Sequence, residues 1–318
     1  MFSSEFINEI SNKSGIRQRE LIEKDLFLHK LLLALSSDEN FRKSYAFKGG
    51  TCLIKCYLGY YRFSEDLDFT FINQDKLNCK SENRKRKEIS KELAKVITII
   101  DHFCRDNKLG FKPEKDNNKY FEFGGGNKFT TIKIYYDSIF IKENFIKLQF
   151  NFVEDLKFAV KEVIAESLLN QSGNKEMGIL YTEYAELAET PLLNCYDIKE
   201  ILCEKVRAIL TRQGSKSRDF IDVYKITNEK SIRLESLKKE IIEKTRWMFR
   251  YEKYFENFLR HAKEIPEFKS GEEEYILVEP VSNEFSSFLI NFDKFLKKIS
   301  YSLRNRLRVK SKIDTPIQ

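Results

Sequence analysis

The sequence predicts an α+β protein in which strands and helices are interleaved over residues 1–190 and helices dominate from 191 to 318. Three observations predict this. Apolar residues recur at helical spacing in 1–36, 81–107 and 195–229. Period-two alternation takes over at Asp66–Phe69 and across 119–153. Glycines at Gly49-Gly50 and Gly124-Gly125-Gly126 punctuate the stretches between them.

A chain of 318 residues suffices for two domains, and 42% hydrophobic residues allow a real core. No apolar run approaches the roughly 20 residues of a membrane span. The nearest, LFLHKLLLAL at 26–35, is interrupted by His29 and Lys30. The start, MFSSEFINEI, lacks the basic and apolar regions of a signal peptide, so a cytoplasmic protein with no membrane partner is expected. The net charge of +7 is compatible with a polyanion such as RNA or a nucleoside triphosphate. The six cysteines, Cys52, Cys56, Cys79, Cys104, Cys195 and Cys203, form no CxxC, and the three histidines are scattered. That spacing argues against a structural zinc site and for reduced, mostly buried thiols.

Taken in order, Leu21, Leu28, Leu32 and Leu35 mark a helix that packs on the sheet, ended by Ser36-Ser37-Asp38. Tyr45–Phe47 reads as a short strand entering Gly49-Gly50, where the missing Cβ permits a tight turn and close approach by a ligand. Thr51 reads as the N-cap of the helix that carries Leu53, Ile54 and Tyr57. A helix start of this kind suits phosphate.

In RFSEDLDFTF (62–71) strand alternation puts Asp66 and Asp68 on one face and Leu67 and Phe69 on the other. Two close carboxylates repel unless a cation or proton joins them. Mg²⁺, held by these oxygens and completed by substrate phosphates, resolves the conflict. A solvated acidic edge is the alternative. Residues 81–107 form a long helix opening on the basic run SENRKRKE. A hairpin around Gly124–Gly126 follows, then a strand over 144–152. Its polar face carries Lys147, Gln149 and Asn151, and Gln149 stands where a third acid could have joined the aspartates. Residues 154–190 show no strong period and read as a connection.

Asp197 and Glu200 match a D-x-x-E capping box opening a helix at Ile198. Lys205 falls inside its apolar arc, with Arg212 nearly in line. Either the lysine stem snorkels, or its ammonium meets a fixed anion in a cleft. Asp219 and Asp222 share a face of the next helix, where they serve the site or pair with Arg212 or Arg218. Residues 231–318 read as helical, with a loop at 266–274, a break at Pro280 and a basic tail at 302–312.

FKGGT (47–51), RFSEDLDFTF (62–71) and EILCEKVRAILTR…SRDFIDVY (200–224), in that order, resemble the AbiEii/AbiGii toxin family of bacterial nucleotidyltransferases. These are the toxin halves of AbiE-type toxin–antitoxin and phage abortive-infection systems. The resemblance covers about residues 20–228. It implies a DNA-polymerase-β-like nucleotidyltransferase fold, a mixed sheet with flanking helices, plus a helical C-terminal region. Residues 1–190 would be the core, and 191–318 would complete the active-site cleft.

By position, Gly50 and Thr51 match the family's glycine-Ser/Thr turn, and Asp66 and Asp68 its metal-binding D-x-D. Lys205 matches its helical lysine, and Asp219, with Asp222 following, its Arg-Asp motif. The implied catalytic set is Asp66, Asp68, Lys205, Asp219 and Asp222. The implied nucleotide contacts are Lys48, Gly49, Gly50, Thr51, Arg62, Ser64, Lys205 and Arg212. The implied cofactor is Mg²⁺ and the substrate an NTP, with RNA, foremost the 3′ end of tRNA, as acceptor. A cognate antitoxin encoded nearby is implied, with no stable complex predicted. Related polymerase-type enzymes often carry a third acid where this chain has Gln149, which bears against a two-metal site. Two other readings stay open: a nucleotide or RNA binder without catalysis, and transfer to a protein hydroxyl or small molecule.

Overall fold

A computed structural model describes residues 1–78, 81–171, 174, 176–271 and 273–313. Cys79 lies outside the described residues, and the basic tail is described beyond residue 305 as backbone alone. The chain divides into two compact units, Met1–Glu154 with Val160–Tyr196, and Asp155–Ala159 with Asp197–Gln318.

The first unit opens on helix α1 (Ser4–Ser14), capped by the Ser3 hydroxyl accepting from Phe6 N and ended by Gly15 at φ 72°. Helix α2 (Arg19–Ser37) follows, and Asp38 then caps α3 (Glu39–Ser44) by accepting from Phe41 N at 2.7 Å. Strand β1 (Tyr45–Lys48) runs into α4 (Gly49–Leu53), continued by a π-type turn over Ile54–Leu58. Strand β2 (Asp66–Phe71), the short α5 (Asp75–Asn78) and the long α6 (Glu82–Asp106) come next. The expected hairpin is β3 (Phe121–Gly124) and β4 (Phe129–Tyr136), followed by β5 (Asn144–Asn151). Gly125 and Gly126 turn the hairpin at φ 57° and 69°, in the left-handed region open to glycine. Strand β6 (Lys161–Ile164), helix α7 (Met177–Leu180) and strand β7 (Leu192–Cys195) complete the unit.

The described strands form one mixed sheet in the order β3-β4-β5-β2-β1-β7-β6. β2 lies between β1, antiparallel, and β5, parallel, so the Asp66–Phe71 segment is central. Its apolar face, Leu67, Phe69 and Phe71, is fully buried, and Phe69 stacks on Phe150 with ring centroids 5.5 Å apart. Helix α2 packs against β5 and α6, as its leucine spacing predicts.

Its buried surface is not only apolar. Asp25 accepts from Lys55 Nζ at 2.9 Å and from the Tyr60 hydroxyl at 2.8 Å, all three buried. Glu23 accepts from Ile139 N at 3.1 Å. His29 Nε2 lies 2.8 Å from the Glu189 carbonyl, and burial first, then the Lys55 charge, brings its pKa down to about 3. These polar groups sit at helical positions that the leucine pattern does not reveal.

Two elements depart from the sequence reading. The stretch 154–190 is not only a connection, because β6 pairs with β7 there. β7 itself, expected as the start of a helical region, pairs in parallel with β1 through Phe47 and Cys195. Four-residue strands are too short for alternation to register.

The second unit is helical: α8 (Ile198–Thr211), α9 (Ser217–Glu229), α10 (Lys238–Met248), α11 (Glu252–His261) and α12 (Phe285–Ile313). Helix α8 is central and packs on the other four. Asp197 caps it by accepting from Lys199 N at 2.8 Å. Glu200 does not close the expected capping box. Its Oε2 accepts from Lys157 N at 2.8 Å and Phe158 N at 2.9 Å, and its Oε1 lies 2.5 Å from Lys244 Nζ. A buried carboxylate beside a buried ammonium gains more there than by turning back to its own helix end. Among the described residues no helix is long and apolar enough to cross a membrane.

Candidate active site

The first cluster is built on the antiparallel pairing of β1 with β2. That register sets Lys48 opposite Asp68, so the turn leaving β1 passes directly over the aspartate. Gly49 makes the turn at φ 78°, and a Cβ placed on it would lie 2.2 Å from Asp68 Oδ2. The carboxylate therefore rests on bare glycine backbone. A Cβ on Gly50 would lie 2.8 Å from an Arg62 guanidinium nitrogen and 2.9 Å from Ser64 Oγ. Arg62 is 1% exposed and donates to the Phe63 carbonyl at 2.7 Å, bracing the turn from beneath. The structure thus gathers Gly49, Gly50, Arg62, Ser64 and Asp68.

Thr51 is not the N-cap expected from the sequence. The helix begins at Gly49 with Lys48 before it, and the buried Thr51 hydroxyl donates instead to the Asp66 carbonyl. The glycine turn starts the helix three residues early, which frees Thr51 to tie α4 to β2.

Asp66 and Asp68 share one face of β2, both half-buried, as the alternation predicts. The parallel register places Lys147 beside Asp66 and Gln149 beside Asp68. Lys147 Nζ lies 3.3 Å from Asp66 Oδ2. Further along this face Thr70 is buried and accepts from the Tyr196 hydroxyl at 2.7 Å. Lys48 Nζ lies 3.6 Å from Glu154 Oε2 and 5.3 Å from the centre of the Tyr196 ring. The Asp66 and Asp68 carboxylates are hard oxygen donors, of the kind Mg²⁺ takes.

The second cluster lies in the helical unit. Lys205, half-buried on α8, reaches two carboxylates of α9: Asp219 Oδ1 at 2.8 Å and Asp222 Oδ2 at 2.7 Å. Arg212 NH1 lies 2.5 Å from the other oxygen of Asp219. Both aspartates are buried, 2% and 0% exposed. Burial pushes the Asp219 carboxyl up, but Lys205 and Arg212 outweigh it and hold it below the ordinary aspartate value. The anions that justify a lysine on an apolar face are therefore Asp219 and Asp222. Arg218 is engaged elsewhere, its Nε 3.4 Å from Glu273 Oε1.

Sequence reasoning placed Lys147 on the right face but gave it no role, and it missed Glu154 and Tyr196. Only the β2–β5 register reveals Lys147 as the countercharge of Asp66.

The family model for AbiEii, described as the nucleotidyl transferase AbiEii toxin of a type IV toxin–antitoxin system, matches residues 30–305. No curated protein matches the sequence. Among solved structures, the chain is similar to MenT4, a nucleotidyltransferase toxin from Mycobacterium tuberculosis H37Rv. The identity is 17% and the TM-score 0.53, with 95% of this chain and 98% of that chain covered. At that identity the likeness shows the fold: a mixed sheet with flanking helices and a helical C-terminal region, as in a nucleotidyltransferase toxin.

Proposed function

The chain belongs to the AbiEii family of nucleotidyltransferase toxins of type IV toxin–antitoxin systems, and from that premise we propose that it moves a nucleotide from an NTP to the 3′ end of tRNA, releasing pyrophosphate. Membership also implies a cognate antitoxin. The observation that carries the proposal is the carboxylate pair Asp66 and Asp68 set against the bare glycine turn at Gly49.

Asp66 and Asp68 would hold Mg²⁺, which when bound neutralises phosphate charge and aligns attacking and leaving oxygens. The Gly49–Thr51 backbone takes the phosphates on its N–H groups, beside the Asp68 carboxylate that rests on the turn. Lys147 releases Asp66 and takes up charge on the incoming phosphates. Arg62 and Ser64 hold the turn in shape. In the helical unit, Asp219 and Asp222 position Lys205 and Arg212. The net charge of +7 suits an RNA backbone as partner. The outcome is blocked translation, in growth control or phage defence.

The test is to incubate the protein with each α-labelled NTP, Mg²⁺ and total tRNA, then find which macromolecule gains label. Label at tRNA 3′ ends supports the reading. Label in protein with none in tRNA overturns the acceptor.

Gln149 favours a second reading, nucleotide binding without transfer, because it puts an uncharged amide beside Asp68. Calorimetric binding of Mg²⁺–NTP with no pyrophosphate released would support it.

A further inference from the structure

Three cysteines scattered in sequence meet in the first unit. Cys52 lies on α4, Cys56 one helical turn later, and Cys195 ends β7. Their sulfurs all lie within 4.8 Å of one another, and Cys56 Sγ and Cys195 Sγ are 3.7 Å apart. None of the three is in a disulfide. Cys52 and Cys195 are fully buried, while Cys56 is half-buried and gives the cluster an opening to solvent.

We propose that Cys52, Cys56 and Cys195 form a three-thiolate site for a thiophilic cation of the zinc class. The geometry is that of the ligand set. A tetrahedral ion with metal–sulfur bonds of about 2.3 Å separates its sulfurs by about 3.8 Å. The Cys56–Cys195 distance already matches that edge, and the remaining separations close by small side-chain rotations. Soft sulfur donors select Zn²⁺ over Mg²⁺ or Ca²⁺, so this site does not compete for the ion assigned to Asp66 and Asp68. Three protein ligands leave a fourth position for water, reached past Cys56.

The backbone around the cluster gives such an ion a mechanical role. Cys52 directly follows Thr51, whose hydroxyl is bonded to the Asp66 carbonyl. Cys195 is opposite Phe47 in the β1–β7 pairing. A bound ion would clamp β7 to the helix that begins at the glycine turn. The absence of any CxxC hid the cluster, because its third ligand lies 139 residues from Cys56.

The test uses the full chain, reduced with a metal-free phosphine and titrated with Cd²⁺. A sulfur-to-metal charge-transfer band is expected to saturate at one ion per chain and to be displaced by Zn²⁺. With Zn²⁺ bound, alkylation in a urea concentration that makes the metal-free thiols reactive is expected to leave Cys52, Cys56 and Cys195 protected by mass spectrometry, and the melting temperature to rise. Cys56→Ser, at the least buried of the three positions, is expected to lose the band. Cys203→Ser, in the helical unit, is expected to keep it. No band at one equivalent overturns the proposal. So does a band that survives in Cys56→Ser, or Zn²⁺ that leaves these three thiols reactive.

Discussion

Two carboxylate pairs, one in each unit, begin from nearly the same sequence device and end at different depths. Asp66 and Asp68 are two residues apart on a strand, and Asp219 and Asp222 three apart on a helix, so each pair shares a face. The strand pair stays half-buried, with Lys147 at 3.3 Å from Asp66. The helical pair is 2% and 0% exposed and is held by Lys205 and Arg212. Burial decides the difference. Two carboxylates removed from water must have cations at hand, so the second pair uses its own chain's. A pair that keeps contact with water is under a weaker requirement of that kind, and a dissolved cation can reach it.

The largest effect should come from breaking the buried pair. Lys205→Ala removes the ammonium that the two buried aspartates share, and stability is expected to fall by about 3–5 kcal/mol, read from urea melts. The loss should depend on pH with a definite sign. In the wild type the Asp219 carboxyl is held low, so its contribution is present above the ordinary aspartate pKa and lost as pH falls through the folded value. Without Lys205, burial and the neighbouring Asp222 charge push the Asp219 carboxyl up. The folded variant then binds more protons than the unfolded chain and recovers stability as pH falls. A deficit equal at pH 7 and pH 4.5 would show that the ion cluster is not what holds α8 to α9.

The strand pair should answer in the opposite manner. Asp68→Ala is expected to cut nucleotide transfer by about a hundred- to a thousandfold, yet lower stability by less than Lys205→Ala does. Folded protein that still labels RNA at the wild-type rate would remove Asp68 from the site.

How far this contrast was legible in the sequence differs between the pairs. The DLD alternation announces a shared face, and the glycines announce the turn beside it, because strand period and glycine freedom are local properties. The apolar-face position of Lys205 likewise signals a buried anion. What stayed hidden depends on pairing between distant segments. Lys147 reaches Asp66, 81 residues away, only through the parallel β2–β5 register. Glu200 caps residues 157 and 158 rather than its own helix, a choice made by the buried Lys244. The buried Asp25–Lys55–Tyr60 group lies in what reads as an ordinary amphipathic helix and a glycine-led turn.

Gly49 offers a smaller and more local probe. Gly49→Ala places a side chain at φ 78° and 2.2 Å from Asp68 Oδ2. The left-handed backbone costs about 1–2 kcal/mol, read as a lowered melting temperature. The carboxylate, the movable end of a side chain, is expected to swing away, so that transfer falls with Mg²⁺ affinity. If the variant loses stability but binds Mg²⁺ as before, Asp68 does not depend on the turn.

The smallest effect separates the two pairs most cleanly. Lys147 and Lys205 each contact an aspartate, but the Lys147 and Asp66 side chains remain 31% and 26% exposed. An ion pair in that setting contributes about 0.2–1 kcal/mol, so Lys147→Met should lower stability by no more than this, several times less than Lys205→Ala. The same substitution removes the cation that competes for Asp66. Mg²⁺ binding, followed by calorimetry without nucleotide, is therefore expected to tighten by up to about fivefold, the equivalent of the lost pair. In the presence of NTP the sign should reverse, because the phosphates then lack the ammonium that Asp66 had held in place. Weaker Mg²⁺ binding without nucleotide would mean that Lys147 orients Asp66 rather than screening it. The strand pair would then share the self-contained character of the helical one.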